Sequence, residues 1–279
     1  MNDKISETAL AIASLRALSN YETDPAVQSH DELAELFLPE DRQAALRTPG
    51  SREMIRQRIP KGMYEYVIAR TKYFDGVFVE AIKNMIEQIV ILGAGYDSRP
   101  YRFQAQIDHT QIFEVDMKPT QEHKRECLYK HNVEIHDHIS FIPMDFETDD
   151  PIEMLLQSGY DQCKQTLFLW EGVTFYLSQG AVANMLRRLK NHSGAGSRIC
   201  FDFQTIQHEQ DLIQTGLREE VIKFGIESGQ IANFVNDHQY RVIELVTAGD
   251  MERRFLRLQN GEFFGKIMPM MNFLLIEHK

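Results

Sequence analysis

Cysteine is scarce in this sequence: Cys127, Cys163 and Cys200 stand far apart, with no CxxC spacing. Such a set builds neither a disulfide framework nor a tetrahedral zinc site, and it fits free thiols in a reducing cytoplasm. Long apolar runs are missing too, so no stretch reaches the length of a membrane span. The opening residues MNDKISETAL lack the apolar core of a secretory signal. Positive charge is in deficit, with 30 Lys and Arg against 41 Asp and Glu and a formal net charge of −11. Neutralising phosphates needs the opposite balance, which excludes a general nucleic-acid binder. The ten histidines include no HExxH, and His131, His136 and His138 are too loosely placed to impose a metal geometry. No metal site is expected. Neither GxSxG nor GxxxxGK[ST] occurs, which removes the nucleophile-elbow hydrolase and P-loop readings. What is left is a soluble, cytoplasmic chain of 279 residues, 43% hydrophobic and 25% charged, with enough length for a substantial core.

Residues 88–102, QIVILGAGYDSRPYR, organise the rest. The β-branched run over 89–92 suits a strand buried on both faces. Gly93-Ala94-Gly95 follows at once, letting the backbone turn sharply and approach a ligand with no Cβ in the way. Open α/β sheets place nucleotide-like ligands at the carboxyl ends of such strands. A tight strand-to-helix turn without a ligand is the plainer alternative.

Before this stretch the pattern is helical. Amphipathic spacing predicts helices over 2–20, 31–37, 41–47 and 61–84, with Asp3, Ser6 and Asp31 as caps. Residues 1–86 therefore form a helical cap over the sheet, and 87–279 a Rossmann-like sheet region, within a single α/β domain. Strands are expected at 88–93, 110–116, 138–142, 165–171, 197–203, 240–246 and 267–276. Helices fill the intervals, including 119–130 and 179–190, and a helical insertion is expected over about 209–237. Pro269 suits an edge strand or a bulge. The expected architecture is a doubly wound, seven-stranded, mainly parallel sheet with a late hairpin-like return, a step resting on analogy of fold.

Several positions could carry chemistry. Glu114 and Asp116 share one face of the second strand, and an acid placed there can accept hydrogen bonds from ribose hydroxyls. Asp116 is preferred for that role, with a helix N-cap as the alternative. Asp145-Phe146 follows the third strand and could meet an adenine, although a turn with a buried Phe explains the pair more simply. Glu171 lies inside an apolar run, and a buried carboxylate needs a partner, either a ligand ammonium or an internal arginine. Arg70 could be that arginine or could clamp a ligand carboxylate bidentately, and Arg16 is placed similarly.

Taken together these residues resemble the leucine carboxyl methyltransferase family of S-adenosylmethionine-dependent O-methyltransferases, especially its bacterial members of polyketide or small-molecule type. Ser6-Glu-Thr-Ala-Leu10, Arg16-Ala17 and Asp31-Glu-Leu-Ala34 match the family's opening pattern, and Arg70-Thr71 with Tyr73-Phe74-Asp75 its arginine-led helix. The segment LGAGYDSR from Leu92 to Arg99, with Tyr101-Arg102, matches the family signature LGAGxDxR-xxR. Glu114-Val-Asp116, Asp145-Phe146 and Glu171-Gly-Val-Thr-Phe-Tyr-Leu177 complete the series in order.

The resemblance implies a class I methyltransferase fold and S-adenosyl-L-methionine as cofactor. It implies that Arg70 binds the methionine carboxylate and Glu171 the ammonium, that Gly93 and Gly95 let the loop approach, that Asp116 holds the ribose, and that Asp145 and Phe146 hold the adenine. The acceptor it implies is a small molecule, methylated on oxygen, in the leading case a carboxylate. A carboxylate is already ionised and needs no general base; for a hydroxyl acceptor a base is required. Tyr21, Tyr176 and His208 are cleft-side groups, none of them singled out. Competing readings are a protein C-terminal carboxyl methyltransferase, an NAD-dependent dehydrogenase and a binding module without turnover. The dehydrogenase expects G-x-G-x-x-G, whereas here Ser98 takes the third glycine's place.

Overall fold

Five apolar strands that follow one another through short helices wind the chain into a parallel sheet. The computed structural model describes residues 5–145, 148–207 and 221–279. Its strands are β1 (Gln88–Leu92), β2 (Gln111–Asp116), β3 (Ile139–Pro143), β4 (Thr166–Trp170), β5 (Arg198–Ile206), β6 (Gly225–Glu227), β7 (Tyr240–Thr247) and β8 (Met271–His278). They are ordered β3-β2-β1-β4-β5-β8-β7, with β6 pairing β5 off that path. β1 to β6 pair with one another in parallel, and β8 is antiparallel to both β5 and β7. β1 and β4 are buried at every position, as central strands covered on both faces should be. The expected doubly wound, mainly parallel sheet is present.

The helices are α1 (Glu7–Ser19), α2 (Glu40–Arg47), α3 (Pro49–Arg58), α4 (Met63–Lys83), α5 (Arg99–Arg102), α6 (Lys118–Lys130), α7 (Pro151–Gln157), α8 (Gln179–Asn191), α9 (Ile231–Asp237) and α10 (Ala248–Phe255). Ser6 caps α1, its hydroxyl accepting from the Ala9 N–H at 3.1 Å. Period-two alternation sends Val90, Leu92, Phe113, Phe168 and Phe201 to one core, where Leu186 of α8 joins them. Ile89, Ile91, Ile112, Leu167 and Phe273 face the other, with Phe74 and Phe78 of α4 fully buried among them. Tyr73 stacks on Phe273 with ring centroids 5.0 Å apart. α4 is therefore a layer of the sheet's own core, not a loose cover. No helix among the described residues is long and apolar enough to cross a membrane.

Three expectations need correction. Residues 49–58 form helix α3, in the interval the expected helices 41–47 and 61–84 leave out; Pro49 stands at the first helical position, where its fixed φ and missing N–H cost nothing. The final strand begins at Met271, past Pro269, so the proline removes no ladder bond and β8 is central, not an edge. The bulge falls in β7 instead, between Val242 and Glu244. Of the helical insertion expected over 209–237, residues 209–220 lie outside the described residues, and the remainder holds strand β6 before α9. Gly225 to Glu227 is extended because its backbone pairs with Gln204 to Ile206 at the end of β5.

Candidate active site

The glycine turn after β1 shapes one end of a cleft. Gly93 has φ +70° and Gly95 φ +45°, left-handed values that favour glycine. A Cβ on Gly93 would lie 2.4 Å from Val173 Cγ2, and one on Gly95 would lie 3.3 Å from the Ala9 Cβ of α1. These glycines therefore admit the cap and the β4 loop close to the turn. Asp116, at the carboxyl end of β2, braces it: Oδ2 accepts from Gly95 N–H at 2.6 Å and Oδ1 from Met117 N–H at 2.7 Å. Burial pushes the Asp116 carboxyl up, against the two backbone donors. Asp116 is not the cap of α6, whose N-cap is Met117 with no side-chain bond. Glu114, on the same strand face, turns away from the cleft into a fully buried pair with Lys124 Nζ at 2.6 Å, and Tyr101 donates to it at 2.9 Å.

From this turn a chain of alternating charges runs through the interior. Arg16 Nε lies 2.9 Å from Asp31 Oδ2, and Asp31 Oδ1 lies 3.4 Å from Arg102 Nε. Asp75 Oδ1 takes both Arg102 Nη2 and Arg99 Nε at 2.8 Å. Arg99 also meets Asp97 at 2.6 Å and Glu171 Oε2 at 2.8 Å. Glu171 Oε1 lies 2.9 Å from Arg70 Nε, and Arg70 Nη1 lies 3.2 Å from Asp202 Oδ2. Five carboxylates face four guanidiniums, which leaves one negative charge in surplus. Burial works to raise the Asp97 carboxyl, but Arg99, Lys124, the Arg99 backbone N–H and Arg16 together outweigh it and hold that group below its ordinary value. Burial likewise works to lower Arg70 and Arg99, and their carboxylate partners outweigh it and push both up.

One contact in this chain is incomplete. Arg70 Nε is buried with no hydrogen bond, although Glu171 Oε1 is only 2.9 Å away. Distance alone makes an ion pair; the N–H does not point at the oxygen, and an unmatched buried donor is costly. Gly172 accommodates this arginine, since a Cβ there would lie 3.0 Å from Arg70 Nη1.

A cavity of about 560 Å³ opens beside these groups, and Arg70, Gly93, Gly95, Asp116 and Glu171 all line it. That volume is in the range of small-molecule sites, roughly 300–1,000 Å³. Arg16, Asp97 and Arg99 are in the wall as well, and so is Tyr176. Asp145 follows β3 and donates its N–H to Asp149 Oδ2 at 2.8 Å, and it is not in the wall. Phe146 and His208 lie outside the described residues. Tyr21 points elsewhere, donating to Glu35 at 2.7 Å. The residues that sequence reasoning missed are Asp202 and Asp75 as counter-charges and Gly172 as a spacer. Asp202 had a readable signal: it sits between Phe201 and Phe203 in an apolar strand, the same anomaly that singles out Glu171.

The leucine carboxyl methyltransferase family model matches residues 9–190. A protein of Mycobacteroides abscessus, provisionally named an S-adenosyl-L-methionine-dependent methyltransferase, is 30% identical over 71% of this chain and 64% of its own length. The match therefore spans slightly less than two thirds of that relative. A second protein of that species and name is 32% identical over 77% of this chain and 73% of its own. The solved structure of a provisionally named methyltransferase from Thermobifida fusca superposes with a TM-score of 0.62 at 16% identity, covering 100% of this chain and 96% of that one. That likeness is one of fold.

Proposed function

This chain belongs to the leucine carboxyl methyltransferase family, and on that premise we propose that it is an S-adenosylmethionine-dependent O-methyltransferase acting at a carboxylate of a small-molecule acceptor. The observation that supports this reading is the Arg70–Glu171 pair in the cavity wall, within a buried network that holds one carboxylate more than guanidiniums. A ligand with a carboxylate and an ammonium on one carbon suits the pair: an oxygen for the Arg70 guanidinium and a cation for Glu171. Asp116 is assigned to the ribose hydroxyls on the family pattern, its oxygens keeping lone pairs beside those that accept the Gly95 and Met117 N–H groups. Asp145 and Phe146 are assigned to the adenine on the family pattern.

S-adenosylmethionine, when bound, supplies an electrophilic methyl group on a sulfonium. The chain's own contribution is binding, orientation and exclusion of water. Arg70 and Glu171 fix the amino-acid end, and Arg99 and Asp202 hold those two side chains at their working separation. α1, lying over the glycine turn through Ala9, shields that end from solvent. A carboxylate acceptor arrives ionised, so no residue has to remove a proton.

Calorimetry with S-adenosylhomocysteine tests the site: Arg70→Ala and Glu171→Ala are each expected to weaken binding by tenfold or more, about 1.4 kcal/mol or above. Normal binding in both variants refutes the assignment. Alkaline treatment of the labelled product tests the acceptor atom. A methyl ester releases methanol, whereas a methyl ether keeps its label.

A further inference from the structure

The cavity continues past the charged groups, and its second half has a different chemistry. Along the carboxyl edge of the sheet the glycine turn lies at β1 and β2, followed by the Glu171 loop after β4 and then the ends of β5 and β8. The wall at that far end is built by Met63 of α4, Phe175, Leu177, Ile222, Met268 and Met271. Met271 is held in register, pairing with Gln204 of β5. Segment 265–268 is pressed against the start of α4, where a Cβ on Gly62 would come within 2.8 Å of the Met268 nitrogen. Among the described residues the cavity wall contains no lysine or histidine, and each of its arginines, Arg16, Arg70 and Arg99, is already ion-paired.

From this we propose that the acceptor is an apolar monocarboxylate, with its single charge at the methyl donor and an uncharged hydrocarbon or aromatic body in the methionine-lined half. The proposal rests on the methyl-donor reading above. A second charge on the acceptor would be buried among thioethers and other apolar groups, with Gln204 and Tyr176 as uncharged polar neighbours and no counter-ion among the described residues, a heavy cost. The reacting carboxylate escapes that cost because the sulfonium is its counter-charge. Three unbranched thioether side chains suit bodies of more than one shape, since methionine repacks readily. In the reaction the carboxylate oxygen attacks the methyl carbon, and the C–O bond forms as the C–S bond breaks. The electron pair stays on sulfur, the products are a neutral thioether and a neutral methyl ester, and no proton moves.

The test uses the full chain with three monocarboxylates, octanoate, 4-phenylbutyrate and 1-naphthylacetate, each beside an analogue carrying a second charge at the far end. Binding is read by calorimetry with S-adenosylhomocysteine present, and methyl-ester formation by mass spectrometry with S-adenosylmethionine. At least one monocarboxylate is expected to bind and be methylated about a hundredfold better than its doubly charged analogue. Met268→Lys, and independently Met63→Lys, should narrow that ratio in favour of the dicarboxylate by placing an ammonium in the lobe. Equal handling of the paired acceptors, or no binding of any monocarboxylate while S-adenosylhomocysteine still binds, overturns this inference and leaves the methyl-donor reading standing. Failure to bind S-adenosylhomocysteine overturns both.

Discussion

Arg70 and Asp202 are 132 residues apart in sequence, and their side chains meet at 3.2 Å in the interior. The contact ties α4 to β5, and Tyr66, one turn before Arg70, donates its hydroxyl to the same Asp202 oxygen at 2.6 Å. Asp202 Oδ1 accepts from Gly172 N–H at 2.7 Å, so this carboxylate also positions the loop that bears Glu171. Asp202→Asn should keep much of the hydrogen-bonding shape but leave Arg70 short of a counter-charge, costing about 3 kcal/mol in urea unfolding. Tyr66→Phe should cost about 1 kcal/mol. Because both act on one oxygen, the double variant should fall clearly short of the sum. Full additivity would show that the two contacts are independent.

Gly93 and Val173 give a second test. Gly93→Ala places a Cβ where Val173 Cγ2 now stands, at 2.4 Å, and on a backbone of φ +70°. A loss of about 1–3 kcal/mol is expected from overpacking and backbone strain. Val173→Ala in the same chain should recover part of that loss and no more, because the strain at φ +70° remains. Full recovery would assign the whole effect to the clash.

Lys124 and Glu114 are both fully buried and 2.6 Å apart. Burial raises the Glu114 carboxyl while Lys124 opposes it. Lys124→Met removes the opposing charge and should cost about 3–5 kcal/mol. Lys124→Met with Glu114→Leu removes the orphan as well and should be the more stable of the two variants. Melting temperatures of the three chains decide the matter.

His278 makes stability depend on pH. Burial, with Lys190 adding to it, lowers this imidazole from 6.5 to about 4, where it packs edge-on to Tyr240 and lies 3.2 Å from Ser193 Oγ. Glu277 opposes the shift without overcoming it. Between those two pH values the unfolded chain binds more protons than the folded one, so stability falls as pH drops from 6.5 toward 4. Allowing for its partial exposure, the contribution is about 1–2 kcal/mol. His278→Gln should flatten the acid limb by that amount, measured as urea midpoints at neutral and acid pH. An unchanged acid limb would place the proton linkage elsewhere.

Much of the fold was legible because central strands announce themselves. The apolar runs over 89–92 and 167–170 leave no alternative length or polarity. Boundaries set by proline were not: Pro49 starts a helix and Pro269 precedes a strand, and the residue alone does not say which side of it the element lies on. Arg70, Gly93, Gly95, Asp116 and Glu171 meet at one cavity, but sequence left open whether the partner of Glu171 is a ligand or an arginine. The structure supplies two arginines, from α4 and from the glycine turn, each more than seventy residues away in sequence. Pairings of that range depend on the order of strands, which local pattern does not carry.

β8 is the strand made last among those described, yet it sits between β5 and β7. During synthesis β5 and β7 therefore both present bare ladder edges, until residues 271–278 emerge and fill the gap. The nascent sheet is most open to wrong pairing in that interval.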